Sequence, residues 1–515
     1  MATPSSGLRL KELALRLNLK AKEGDPLIYG ITEDSRTVKL GDLFVAIKGQ
    51  GFDGRDFIKA AKEAGAVAVA LTEPDLNVGP RLLVADESSF RTVVNQAARE
   101  IYNQPDRALD LVGVTGTNAK STICYLLEEI FLANGQKTGV MGTINYRWPK
   151  VIRPAPNTTP EGPLFWRTLF DMAKDACQVV VMEVSSHALE LGRVAGARFT
   201  QALFSNLTQD HLDFHGEMES YFQAKRKLFV LGLRDDGKVR AAVGIDDPYG
   251  LRLKEELSQR AYGYGLSLKA EVRGENLRLS LSGLKMTIRS PFGDWEQTSP
   301  LIGAFNAQNL LGAATIAGLR GVAVPVIQAA LAKARGAPGR LEKVASPANT
   351  LVLVDYAHSP GALLTVLRAL RDLKPRRLLT IFGCGGDRDR TKRPLMGEAA
   401  GSLADIAILT SDNPRTEDPL AIIQETRVGL EKVGSPFLEA SMAKTAVKGY
   451  LIEPDRQKAL NLGALILTKG DILLVAGKGH EDYQIINREK KPFDDRVIMA
   501  AALADIGFKS NGATL

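Results

Sequence analysis

Cysteine is scarce in this 515-residue sequence, with only Cys124, Cys177 and Cys384. So few, and odd in number, they exclude a disulfide framework and fit a reducing compartment. Long apolar runs are missing too. None approaches the roughly 20 residues needed to cross a bilayer, which excludes a membrane-spanning helix. Aromatic residues make up only 6%, and no block of Lys or Arg stands out. A nucleic-acid binder would need a basic stripe or stacking aromatics, so that class is excluded. The stretch Met1 to Gly7 has neither the apolar core nor the Arg-rich character of a targeting segment, so the cytoplasm is the expected location. There is no internal repeat and no low-complexity tract.

What is present is a globular mix, 45% hydrophobic and 24% charged, long enough for about three domains. Lys and Arg (66) exceed Asp and Glu (59), giving a diffuse net charge of +7 that suits anionic ligands such as nucleotides and carboxylates. From about Leu109 onward, short apolar strands alternate with amphipathic helices, the pattern of parallel sheets with right-handed crossovers. The clearest strands are Leu109–Thr115, Val179–Val184, Leu351–Asp355, Leu378–Phe382, Ile406–Thr410 and Ile472–Ala476. Most run straight into Gly, Ser, His or Asp, and in open α/β sheets ligands bind beyond the carboxyl ends of the strands. Boundaries are expected near Gln104–Ala108 and at Ala337–Gly339, where Pro and Gly suit a hinge. They divide an α/β chain into residues 1–108, 109–337 and 338–515. Residues 240–300 alternate apolar and polar positions, which predicts antiparallel strands within the middle domain.

The sharpest local signal is Gly116-Thr-Asn-Ala-Lys-Ser-Thr122, lying between a strand and a helix. Ile123, Leu126, Leu127, Ile130 and Phe131 share one helical face, and Asn134-Gly135 supplies the stop. Strand, tight loop and helix N-terminus make a phosphate cradle, with Lys120 on the β/γ-phosphates and Ser121 on Mg²⁺. The consensus loop has Gly where this chain has Ala119 and Val114. Ala119 fits a tight loop only if its φ stays negative.

That loop resembles the one shared by the Mur ligases and folylpolyglutamate synthetases. The resemblance continues through Asn157-Thr-Thr-Pro160, Glu183-Val-Ser-Ser-His187, Asn206 to Gly216, Tyr221-Phe-Gln-Ala-Lys225, and Gly303-Ala-Phe-Asn306 with Asn309. It extends through Pro338-Gly-Arg340, Asp355-Tyr-Ala-His358, Asp412-Asn-Pro-Arg415 and Gly477-Lys-Gly-His-Glu481, and includes Asp34-Ser-Arg36 and Gly41 to Ala46 near the start. It spans nearly the whole chain in order and is closest to the diaminopimelate-adding branch of the Mur family.

The resemblance implies an N-terminal UDP-binding α/β domain, a central P-loop-type ATPase domain with a mostly parallel sheet, and a C-terminal Rossmann-like domain. It implies a ligase that uses ATP and Mg²⁺ to join meso-diaminopimelate to the D-glutamate γ-carboxylate of UDP-MurNAc-L-Ala-D-Glu through an acyl phosphate. It assigns ATP to Gly116, Thr117, Asn118, Ala119, Lys120, Ser121, Thr122, Asn306, Asn309 and Arg340. Lys120, Glu183, His211 and Lys225 are the expected catalytic residues, and Ser121, Glu183, His211 and Lys225 the expected metal partners. Lys225, which composition alone reads as a surface lysine, is expected to be carbamylated to N6-carboxylysine. This requires surroundings that disfavour the charged amine.

The UDP-linked dipeptide is assigned to Ser35, Asn157, Thr158, Thr159, Ser185 and Arg193. Leu191 stands where the family often has Gln. The amino acid is assigned to Arg388, Asp412, Asn413, Pro414, Arg415, Gly477 and Glu481. Pro414 fixes a turn from which Asp412, Asn413 and Arg415 can converge, and Arg415 can grip the distal carboxylate that lysine lacks. His358 or a nearby carboxylate is the candidate base for the attacking amine. A monomer without nucleic-acid partners is expected. The competing readings are a catalytically silent homologue with a structural role, and a ligase for lysine or glutamate.

Overall fold

The computed structural model describes residues 7–47, 53–72, 78–84, 86–233 and 236–507. The polar start read above, residues 1–6, lies outside the described residues. The chain forms two compact units. One is Met1–Gly274 with Ile288–Asp294 and Asn309–Ala330. The other is Glu275–Thr287 with Trp295–Gln308 and Leu331–Leu515.

Besides the short antiparallel pair Leu8–Arg9 with Leu27–Ile28, the first unit holds two sheets. The smaller has the strand order Lys20–Lys22, Arg81–Leu83, Ala68–Leu71, Asp42–Val45, Gly30–Thr32. Its last four strands are parallel and Lys20–Lys22 is an antiparallel edge. The larger runs in the order Val151–Pro154, Asn145–Trp148, Thr138–Met141, Val179–Glu183, Asp110–Thr115, Phe199–Phe204, Ala241–Gly244, Ala261–Gly265. Pairing is parallel from Thr138–Met141 through Ala261–Gly265 and antiparallel in the edge strands at 145–154. The central strands are continuous apolar runs because both faces are covered, which is how parallel strands read. Asp110–Thr115 is buried from Leu111 onward. It lies between Val179–Glu183 and Phe199–Phe204, with Glu183 opposite Val114 and Phe204 opposite Thr115. Three neighbouring strands therefore end together, and the loops that follow them share one rim.

One expectation needs correction. In the first part of the 240–300 stretch, Ala241–Gly244, Ala261–Gly265 and the start of Val272–Ser280 pair in parallel, where alternation suggested antiparallel strands. Alternation reports one wet face, not strand direction. Pro105–Arg107, where one boundary is expected, is a short 3-10 turn braced by Arg99 on the buried Asp106 carboxylate at 3.0 Å.

The second unit carries a sheet in the order Glu342–Val344, Leu351–Asp355, Ile472–Ala476, Leu378–Phe382, Ile406–Leu409, Gly449–Ile452. All neighbours are parallel except the Glu342–Val344 edge. Helices such as Pro360–Arg371, Lys392–Leu403 and Pro419–Lys432 cover one face, and Arg456–Ile466 with Asp495–Asp505 the other. Asp355, Gly477, Gly383 and Asp412 all stand at or just past the carboxyl ends of adjacent strands.

Candidate active site

The loop after Asp110–Thr115 is built as a cradle. Gly116 has φ +146°, and a Cβ there would lie 1.9 Å from the Ser205 hydroxyl, so only glycine fits. The loop is braced by the end of the neighbouring strand. Ser205 Oγ donates to the Asn118 carbonyl at 2.7 Å, Asn118 N donates to Asn206 Oδ1 at 3.0 Å, and Thr117 N donates to the Asn206 carbonyl at 2.9 Å. The helix Lys120–Ala133 follows, capped at Asn134 with Gly135 at φ +75°, as the sequence predicted. Ala119 does not keep a negative φ. It adopts the left-handed conformation (φ +73°, ψ −6°), because the turn into the helix demands it. Lys120 Nζ donates to the carbonyls of Gly116 (3.0 Å) and Thr117 (2.9 Å).

Ser121, in the helix's first turn, donates its hydroxyl to Glu183 Oε1 at 2.8 Å. Glu183 is only 3% exposed and also accepts from Thr143 N (2.9 Å) and Thr143 Oγ1 (3.0 Å). Thr143 Oγ1 is in turn 3.1 Å from Thr158 Oγ1. Thr159 donates to the Glu183 carbonyl at 2.8 Å and accepts from Ser185 N at 3.0 Å, and Arg193 Nη1 donates to the Thr159 carbonyl at 3.2 Å. Ser121, Glu183, Thr158, Thr159, Ser185 and Arg193 are thus one hydrogen-bonded chain. Asn157 is exposed beside it, its carbonyl accepting from Tyr146 Oη at 2.5 Å.

Lys225 overturns the reading from composition. It is 1% exposed, its amine donates to the Gly116 carbonyl at 2.8 Å, and it stands 4.4 Å from the centroid of the Tyr221 ring. Burial, reinforced by the nearby Lys120 charge and opposed by Asp210, holds this amine well below the ordinary lysine range. A neutral amine is a nucleophile. His211 is half-exposed beside Asp210, with Nε2 3.5 Å from the carboxylate. It packs edge-on to His187 at 4.8 Å, while His215 Nε2 lies 2.9 Å from Ser186 Oγ. Burial lowers all three imidazoles, favouring their neutral forms. Among the described residues no three His, Cys, Asp or Glu side chains are grouped as metal ligands. The oxygen pair Ser121 and Glu183 nevertheless suits Mg²⁺, which takes one or two carboxylates and fills its remaining positions with phosphate oxygens and water.

Ser35 opens a short turn closed by its neighbours. Asp34 Oδ1 accepts from Arg36 N at 3.0 Å, and the Arg36 guanidinium grips the same carboxylate. Within the same unit is a narrow cleft, partly open to solvent. It is lined by Glu33, Arg91, Asn95, Glu161, Leu191 and Arg193. Arg193 Nη2 pairs with Glu161 at 2.7 Å, and burial pushes the Glu33 carboxyl up to about 7, with Glu161 adding to the shift.

In the second unit Asn306 is buried and donates to the Ile302 carbonyl at 2.7 Å, and the Arg340 guanidinium lies 4.7 Å from the centre of the Tyr356 ring. Asn309 is buried in the first unit. Asp412 and Asn413 are buried and point inward. Asn413 Nδ2 donates to Glu481 Oε2 at 3.0 Å, and Gly477 stands beside Asp412. Arg415 is half-buried with φ +53°, its Nη1 donating to the Gly386 carbonyl at 2.6 Å, and Arg388 is exposed. Asp412, Asn413, Gly477 and Glu481 therefore meet, while Arg415 follows Pro414 toward the Gly385-Gly386 turn. His358 is exposed. Its Nδ1 lies 2.8 Å from the Tyr356 carbonyl, which can only accept, so Nε2 carries the free lone pair. The sequence reading missed Thr143, Ser205, Asn206 and Lys478. Each acts through a partner far along the chain, and only Asn206 and Lys478 fell inside a motif.

Comparison with known proteins gives consistent matches. Residues 27–114 match the Mur ligase family catalytic domain, 114–317 the Mur ligase middle domain, and 339–479 the Mur ligase glutamate ligase domain. UDP-N-acetylmuramoyl-L-alanyl-D-glutamate–2,6-diaminopimelate ligase of Geobacter metallireducens is 43% identical over 98% of this chain and 100% of its own length. The enzyme of the same name from Geobacter sulfurreducens is 43% identical over 96% and 98%. A solved structure of a ligase of that name superposes with a TM-score of 0.70 at 34% identity, covering 98% of this chain and 100% of the other.

Proposed function

We propose, from the premise that this chain belongs to the Mur ligase family, that it joins meso-diaminopimelate to UDP-MurNAc-L-Ala-D-Glu at the expense of ATP, in peptidoglycan synthesis. The observation that carries this reading is the convergence of Lys120, the Ser121–Glu183 pair and the buried Lys225 amine on one glycine loop. A silent scaffold has no use for a buried lysine amine beside a phosphate cradle, where its burial only costs stability.

The reaction proceeds in two displacements. A γ-carboxylate oxygen of the D-glutamate attacks the γ-phosphorus of ATP, ADP leaves, and an acyl phosphate forms. The neutral amine of diaminopimelate then attacks the acyl carbon, giving a tetrahedral intermediate that expels phosphate and leaves an amide. Lys120 turns from its loop carbonyls toward the phosphates and offsets their developing charge, as do the loop N–H groups. Ser121 and Glu183 would hold Mg²⁺, and Lys225 would join them as a carbamate, formed when its neutral amine adds to CO₂ and gives up a proton. The metal supplies charge neutralisation at the phosphates. His211 faces the same region. Thr158, Thr159, Ser185 and Arg193 orient the dipeptide, with Ser35 at the nucleotide end. His358 Nε2 is free to take the proton of the attacking amine. The working form is a cytoplasmic monomer. Among the described residues no helix is long and apolar enough to cross a membrane.

Phosphate release from ATP, measured with UDP-MurNAc-L-Ala-D-Glu and either meso-diaminopimelate, L-lysine or no amino acid, tests the reading. Release coupled to product with meso-diaminopimelate alone is the expected result. Release with lysine refutes the role of Arg415, and no release from folded protein refutes the ligase.

A further inference from the structure

Lys478 has no exposed surface. Its amine lies 3.3 Å from Glu481 Oε2, 3.7 Å from Asp412 Oδ1 and 3.2 Å from Asn413 Oδ1, with the Tyr483 ring centre 5.6 Å away. Asn413 links the others, donating to Glu481 and accepting from Ile485 N at 2.9 Å. Three residues assigned to the amino acid are thus tied to a lysine outside that set.

The charges around this cluster can be counted. Arg456 and Asp495 form a fully buried ion pair at 2.7 Å and cancel. Arg456 also donates to the carbonyls of Ser411 and Ala476, each just before a pocket residue, which fixes both loops. Tyr356 and Tyr483 face Asp412 and Glu481, and burial raises both phenols, which keeps them neutral. Arg388 is exposed and screened by solvent. Asp482 and Lys490 are likewise exposed, Arg340 stands on the Tyr356 ring, and Arg415 is turned to the Gly386 carbonyl, so the cluster itself sets Asp412 and Glu481 against Lys478 alone. Asp412 Oδ1 has a charge nearby but no hydrogen-bond partner, so it has acceptor capacity to spare.

We infer that Lys478 is a specificity-determining residue. By cancelling one of the two carboxylates it leaves a single negative charge for a ligand's ammonium, with Arg415 beyond the cluster for a carboxylate, which matches an amino-acid end that carries both. The inference rests on the reading of this site as the diaminopimelate pocket. Without Lys478 the site carries an excess negative charge, which favours a ligand end that is only an ammonium, as in lysine. The uncompensated carboxylates also repel, so Asp412, already raised by burial, takes up a proton that an ammonium must displace.

The test compares kcat/KM for meso-diaminopimelate and for L-lysine in the full-length protein, by phosphate release across a range of pH. In Lys478→Met the ratio of the two falls by about tenfold or more, and KM for meso-diaminopimelate drops as pH rises, a dependence weaker in the parent. Lys478→Arg, which keeps the charge, keeps the ratio. A role confined to packing lowers both substrates equally, so an unchanged ratio in Lys478→Met overturns the inference. If that variant shows no cooperative thermal transition, Glu481→Gln supplies the opposite charge change. It must move the balance away from lysine and toward 2-aminopimelate, which lacks the distal ammonium, and failure to do so overturns the inference equally. A parent protein with no diaminopimelate-dependent release refutes the pocket reading itself, before any variant is made.

Discussion

Replacing Ala119 with glycine should make the protein more stable, although the usual effect of such a change is the reverse. Ala119 has φ +73° and ψ −6°, where its Cβ crowds the backbone. Holding a non-glycine residue there costs roughly 1–2 kcal/mol. Glycine removes that strain but gives the unfolded chain more freedom, which costs about 0.4–1 kcal/mol. The balance is a net stabilisation of about 0.5–1 kcal/mol. For a domain of 150–250 residues each kcal/mol moves Tm by about 2–4 °C, so the expected rise is roughly 1–4 °C. The Ala119 carbonyl accepts from Ile123 N at 2.9 Å and would continue to do so, which leaves the loop geometry intact. Thermal melts of parent and variant, with KM for ATP alongside, make the measurement. A lower Tm would refute the reasoning, since chain entropy would then outweigh any strain at this position. A KM for ATP altered by more than about threefold would show that the loop had moved.

Three further predictions follow from the same region and its neighbours. Gly116→Ala places a methyl group against Ser205 Oγ and breaks its bond to the Asn118 carbonyl, so it should destabilise by about 2 kcal/mol or more and be visible in denaturant titration. Lys120→Ala should abolish phosphate release while leaving the melt nearly unchanged, and full turnover in that variant would remove the loop from the mechanism. Glu33 is an acid whose folded pKa is raised to about 7 from 4.5, so its stabilising contribution is complete below 4.5 and is lost as pH rises through about 7. Glu33→Gln should therefore raise Tm above pH 7 and leave it little changed below pH 4.5, and a pH-independent difference would count against the shift.

Much of the architecture was legible because buried parallel strands announce themselves. Leu351–Asp355, Leu378–Phe382 and Ile472–Ala476 begin and end where the apolar runs do. Strand direction was not legible at 240–265, since a lone strand's alternation says nothing about its partner. Nor was the state of Lys225. Its helix, Met218–Lys227, is mostly polar, and the lysine is buried only because it runs under a loop more than 100 residues earlier. The sign of φ at Ala119 was misjudged because side-chain preference was weighed without the turn that overrides it. Lys478 lay in a quoted motif, but only the packing of two strand ends shows that its amine is enclosed.

The chain of bonds through Glu183 ties two ligands to one thermodynamic account. Its carboxylate accepts from Ser121, on the side proposed for the nucleotide, and from Thr143 on the other, and Thr143 touches Thr158. A ligand that draws Ser121 away leaves Glu183 free to hold Thr143 more firmly, and so changes how Thr158 presents itself. Affinity altered at one end must be altered by the same factor at the other. The two substrates of this protein are therefore expected to report on each other's binding, each titration shifting when the other partner is present, and Thr143→Ala is the change that should make them independent.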